Sequence, residues 1–176
     1  KEDMGWLSKC NTLGACNVMN FSLEESGVNY TSIFLEPLET PSNNLKVLEI
    51  PRPNSYLYVE YRKNIGFDST IISGYTQGAL LHIKSAEQDQ SKVLDASPNS
   101  SDPQTAYSVV ISPGSNFTDT FTGTIISVIS ANSDGLNLSL RLGQNYFPLT
   151  VVKVVSPPYY SIINLKTPII VNASSP

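Results

Sequence analysis

The sequence predicts an all-β fold: an antiparallel β-sandwich, jelly-roll-like or Ig-like, with little helix. Three observations carry the prediction. Short segments rich in Val, Ile, Leu, Tyr and Thr recur at roughly 8 to 12 residue spacing, the rhythm of sandwiches and barrels. Turn chemistry separates them (TPSNN, PRPN, SPNSSDP, SPGSN, NSDG), and the 12 prolines gather mostly at these joints, where a missing N–H disturbs no ladder. No segment shows a sustained helical apolar repeat.

Taken in order, strands are expected at 28–38, 45–50, 55–61, 78–84, 107–112, 121–130, 136–142, 147–155 and 167–172. Each holds the β-branched, aromatic or Leu-rich content that suits a pleated, half-buried surface. In 45–50, Leu45, Val47 and Glu49 fall on one face and Lys46, Leu48 and Ile50 on the other. In 136–142, Leu136, Leu138, Leu140 and Leu142 alternate with Asn137, Ser139 and Arg141, one face dry and one wet. NSDG just before that segment is a hairpin signal. The opening KEDMGWL suits the last turn of a helix, and LEESG (23–27) a short helical turn. SPPYY (156–160) breaks the pattern. The expected organisation is one sandwich domain over residues 1–156. Residues 157–176 then form a linker with a terminal strand or the start of a further β domain.

Composition narrows function. A chain of 176 residues with 40% hydrophobic content buries about two thirds of its unfolded surface and needs no metal to fold. Net charge is −4 with 15% charged residues, which offers no basic face for nucleic acid. No run of 18 apolar residues exists, so no helix here spans a bilayer. The opening residues read as an internal cut, which leaves room for a targeting segment upstream of Lys1. So few charges also suit an acidic medium, where few carboxylates must stay ionised.

Six sites match the N-glycosylation acceptor: Asn20, Asn29, Asn99, Asn116, Asn137 and Asn172. They point to an extracellular or cell-surface glycoprotein; the rival reading is an Asn- and Ser-rich composition. In that compartment Cys10 and Cys16, in CNTLGAC, are expected to form a disulfide closing a small loop. The alternative is two free thiols. Zinc is not read from them, since two thiols need two further ligands and the chain owns one histidine.

That histidine, His82, lies on a strand with no placeable carboxylate or nucleophile, so a hydrogen-bonded strand histidine is expected. No G-x-S-x-G, HExxH or phosphate-cradling glycine loop is present. No catalytic, cofactor-binding or metal residue is therefore assigned. Asp68, Asp102, Asp119 and Asp134 are the loop carboxylates that calcium would use, although no D-x-D-x-D-G run gathers them.

The stretch SYLYVEYRKNIGFDST (55–70) concentrates charge in a chain that has little. Glu60 and Arg62 share a strand face with Tyr56 and Tyr58, while Leu57, Val59 and Tyr61 face the other way. Two readings stay open: an exposed ion pair of about 0–1 kcal/mol, or a partly buried salt bridge that fixes strand register. Tyr56, Tyr58, Tyr159 and Tyr160 are candidate contacts to protein or sugar.

SYLYVEYRKNIGFDS followed by GYTQGALLHIK resembles the β-rich region directly after the catalytic domain of secreted metzincin-type zinc peptidases of the immune-inhibitor-A-like and gametolysin-like families. MGWL (4–7) resembles the end of that catalytic domain. LKVLEIPRPNSYLYVEYR and VLDASPNSSDPQTAYSVVISPGSNFTD resemble elements that follow it, so the likeness covers residues 4 to about 130. The resemblance implies a noncatalytic sandwich that packs on an upstream catalytic domain and aids substrate access or attachment. Zinc would sit in that upstream domain, because its binding helix would lie before Lys1. Glu60 and Arg62 would form a structural ion pair. The rival is a structural or adhesion domain of a cell-envelope glycoprotein with no peptidase partner, bound to cell-surface protein or glycan.

Overall fold

The expected all-β sandwich is what the chain forms. The computed structural model describes residues 7, 9–10, 16–21, 30–85, 90–96, 109–143, 151–156 and 170–174, and the account below concerns these. The first sheet contains β1 (Lys9–Cys10), β2 (Val18–Asn20), β4 (Val47–Arg52), β5 (Ser55–Tyr61), β6 (Ala79–Ser85) and β7 (Ser91–Leu94) in that spatial order. β8 (Val110–Ile111) also pairs with β6. The second sheet runs β3 (Tyr30–Leu35), β11 (Leu136–Arg141), β10 (Ile125–Ala131), β9 (Asn116–Thr118). From β4 through β8 the first sheet is antiparallel, as is the whole second sheet, but β1–β2 and β2–β4 are parallel. Periodicity reports which side chains share a face. It does not report the direction in which a neighbouring strand runs.

Side-chain alternation builds the core. Met19, Leu48, Ile50, Leu57, Val59, Tyr61, Ala79 and Leu81 of the first sheet are buried against Ile33, Leu35, Ile126, Val128, Leu136, Leu138 and Leu140 of the second. Tyr61 is wholly buried, and its hydroxyl donates to the Asn132 carbonyl at 2.9 Å, so this ring satisfies its polar end within the core. Leu136–Arg141 alternates buried residues with half-buried Asn137 and Ser139 and exposed Arg141, as the sequence implies. Lys46 departs from the pattern. It precedes β4, is 2% exposed, and its ammonium contacts Glu36 at 3.2 Å and Ser42 Oγ at 3.0 Å.

The chain divides into two compact units, Lys1–Asn145 and Tyr146–Pro176. In the second, β12 (Val151–Ser156) pairs antiparallel with β13 (Ile170–Ser174). The division therefore falls ahead of the strand expected at 147–155 rather than after residue 156. That strand takes its hydrogen bonds from the terminal strand, which alternation alone could not reveal.

Four short strands escaped the sequence reading: Lys9–Cys10, Val18–Asn20, Ser91–Leu94 and Asn116–Thr118. None is long enough to display an alternation of its own, and each is held by its neighbours. The segments read as helical turns, 1–7 and 23–27, fall outside the described residues apart from Leu7.

Candidate functional site

The outward face of the first sheet is built in two rows by strand register. One row runs Val18, Val47, Glu60, Leu80, Val110, and the next runs Asn20, Glu49, Tyr58, His82, Val93. Glu60 is therefore the charged member of an apolar row, and it is 7% exposed. Its Oε1 accepts from Arg62 Nε at 2.6 Å and from His82 Nε2 at 3.0 Å. Arg62 Nη1 also donates to Asp68 at 2.9 Å (Oδ1) and 3.0 Å (Oδ2). The Glu60–Arg62 pair is partly buried, with side chains 10% and 20% exposed, rather than an exposed pair.

Burial pushes the Glu60 carboxyl up. The His82 hydrogen bond and the Arg62 charge outweigh it and hold the carboxyl below the ordinary carboxylate range. An ionised Glu60 only accepts, so His82 Nε2 is the donor. The Arg62 guanidinium, disfavoured by its own burial, is pushed up by Glu60 and then by Asp68.

The network anchors the connection between β5 and β6. Asp68 closes a 3-10 turn over Gly66–Asp68, and a second spans Ser73–Thr76. Asn64 Nδ2 donates to the Ile71 carbonyl at 2.7 Å, and Thr76 Oγ1 to the Ser73 carbonyl at 2.8 Å. These bonds hold a loop that presents apolar side chains to solvent: Ile65 is 39% exposed, Phe67 79% and Ile72 63%. Sequence reading marked the charges of this stretch but not its exposed apolar residues. The carboxylate of His82 was missed as well. It is legible once residues 55–61 are paired with 79–85, because Tyr58 then faces His82 and Glu60 lies on the adjoining diagonal.

A second buried ion pair lies between the sheets. Arg52 ends β4 and reaches Asp119 Oδ1 at 3.1 Å, with side chains 8% and 4% exposed. Asp119 also accepts from the Phe121 N–H and from Thr122 Oγ1, and the Arg52 guanidinium lies 4.6 Å from the exposed Phe121 ring.

The remaining predicted residues stand as follows. Tyr58 packs beside Val18, Leu38 and Val47, and Tyr56 leans on it with ring centroids 6.4 Å apart. Tyr159, Tyr160, Asn29, Asn99, Asp102 and the side chains of Cys10 and Asn172 lie outside the described residues. Cys16 is buried. Asp68 and Asp119 serve arginines, and Asp134 Oδ1 accepts from Ser133 Oγ at 3.1 Å. Among the described residues no three His, Cys, Asp or Glu side chains gather as a metal site. A His–Glu pair can orient an imidazole, and here it also ties β6 to β5. Among the described residues the hydrogen-bond partner of His82 is Glu60. Electrostatically, the Arg62–Asp68 pair fixes the loop that follows β5.

Comparison with known proteins finds no family model, no curated protein and no solved structure that matches this chain.

Proposed function

We propose that this chain is the noncatalytic β-sandwich domain of a secreted or cell-surface zinc metallopeptidase, packing on the catalytic domain and aiding substrate access or attachment. The observation that supports it best is the Ile65, Phe67, Ile72 loop. Ile65 and Phe67 lie in a stretch that carries the peptidase resemblance, Ile72 lies between it and the next, and the loop is held firmly by Arg62 and Asp68. A firmly held apolar loop loses little freedom on docking, which favours a contact surface. The zinc belongs to the upstream domain on this reading, and the chain itself turns over nothing. On this reading a Cys10–Cys16 bridge completes the extracellular picture.

The coding sequence upstream of Lys1 tests the reading directly. An HExxH with a third histidine is expected, and its absence favours the adhesion domain instead. Given that catalytic domain in trans, Phe67→Ser is expected to weaken association about tenfold or more, as a central aromatic does. Unchanged affinity by titration calorimetry removes the loop from the interface. The purified chain incubated with casein, with and without zinc, is expected to release no peptide.

A further inference from the structure

Three acceptor asparagines have described side chains, and the fold treats each differently. Asn20 ends β2, donates from Nδ2 to Glu49 Oε1 at 3.1 Å, and has a buried Oδ1 without a partner. Asn137 lies in β11, between β3 and β10, and its Nδ2 donates to Ser130 Oγ at 3.0 Å. Asn116 is exposed on β9, which ends the second sheet among the described residues, and Thr118 of the same acceptor is exposed two residues on. Strand alternation puts Asn116 and Thr118 on one side, while Phe117 between them packs on the core.

Two further features surround Asn116. In register it faces Ser127, which faces Ser139, which faces Ser32, so a row of hydroxyls crosses the outer face of the sheet. β9 itself reads Asn-Phe-Thr and carries no charge. An edge strand ordinarily guards its unpaired N–H and C=O groups with lysine, proline or a bulge. Here none of the first two is present in the strand.

We propose that Asn116 carries an N-linked glycan, and that the sugar lies over the hydroxyl row and guards the open edge at β9. The proposal rests on the extracellular reading above. The donor class is an oligosaccharide on a lipid pyrophosphate. The bond between sugar C1 and the pyrophosphate oxygen breaks, a bond from C1 to Asn116 Nδ2 forms, and one Nδ2 proton leaves to a base. A glycan on Asn20 or Asn137 would compete with the Nδ2 bond to Glu49 or Ser130 on folding, so both are expected to be bare.

The test is site-resolved mass spectrometry of the full chain, both from its own source and secreted by a glycosylating host, with amidase release in heavy-oxygen water to mark each occupied Asn. Asn116 is expected to be occupied in most molecules, and Asn20 and Asn137 in almost none. Asn116→Gln and Thr118→Ala are each expected to abolish that occupancy. Both variants are also expected to shift the folded protein to larger species in light scattering, at a concentration where the glycosylated chain is monomeric. Bare Asn116 in the native protein overturns the proposal. If the host-secreted chain is loaded at Asn116 in that case, the failure lies with the extracellular reading. If the host-secreted chain is bare there too, the site assignment itself is wrong. Monomeric variants overturn the guarding role.

Discussion

Arg62→Leu is expected to lower the melting temperature of the sandwich by about 5 to 15 °C. The Arg62 side chain is 20% exposed and shared by two carboxylates, Glu60 and Asp68, whose side chains are 10% and 12% exposed. Removing one partner of a buried pair costs about 3–5 kcal/mol, because the other charge stays desolvated. Partial access of water to Arg62 reduces this to roughly 2–4 kcal/mol. In a domain of this size each kcal/mol moves the midpoint by about 2–4 °C. The double replacement Glu60→Leu with Arg62→Leu is expected to recover part of the loss, since residue 60 stands in register between Val47 and Leu80. Calorimetric scans of the wild type, the single and the double variant decide it. A single variant that melts with the wild type would leave the ion pair without a structural role.

The same network sets the acid limit of the fold. Glu60 is held below its ordinary range for the reasons given. Glu36 is too: burial pushes it up, but hydrogen bonds from Asn44, Ser42 and Lys46, and the Lys46 charge, outweigh that. A carboxylate depressed in the folded state adds stability that is fully present above its unfolded pKa. That stability is lost as pH falls through the folded pKa. Stability is therefore expected to be flat from neutral pH down to about pH 5 and to fall steeply below about pH 4. Chemical denaturation across that range measures it. The low charge count suggested a tolerance of acid, but these carboxylates oppose that reading, because both are engaged as ions, Glu60 from a buried position and Glu36 from a half-buried one.

Whatever depends on alternation was legible in the sequence. The faces of residues 55–61 and 136–141 follow from period two, and Tyr61 and Leu138 fall in the core accordingly. Whatever depends on which strand lies beside which was hidden. The parallel entry of β1 and β2, the diagonal from Glu60 to His82, and the Arg52–Asp119 bridge between sheets all join residues far apart in the chain. Lys46 shows a further limit. A lysine in an apolar run reads as a solvated side chain, yet Glu36 and Ser42 keep it buried. For the loop, charge marked the place, but exposure of Phe67 is a property of the turns on either side of it.

Gly78→Ala is expected to be strongly destabilising, with a closer backbone clash than at Gly66, Gly114 or Gly135. Gly78 directly precedes β6, and an added Cβ would stand 2.1 Å from the Ile111 carbonyl oxygen, 2.8 Å from its carbon and 3.2 Å from Ser112 Cα. All three are backbone atoms, so no rotamer change relieves the contact. β8 would have to withdraw, and the Ala79–Ile111 and Leu80–Val110 pairs would open with it. Overpacking of this kind costs roughly 1–3 kcal/mol, and more where the neighbour cannot yield. Gly114→Ala is the natural comparison. Its Cβ meets nothing within 4 Å, and the cost arises only from its φ of +82°, about 1–2 kcal/mol. Urea unfolding of the two variants separates the mechanisms, with the larger loss of midpoint expected at Gly78. Equal losses would mean that β8 does not approach the start of β6 as closely as described. The glycine that opens GALLHIK would then owe its place to chain flexibility rather than to the strand lying against it.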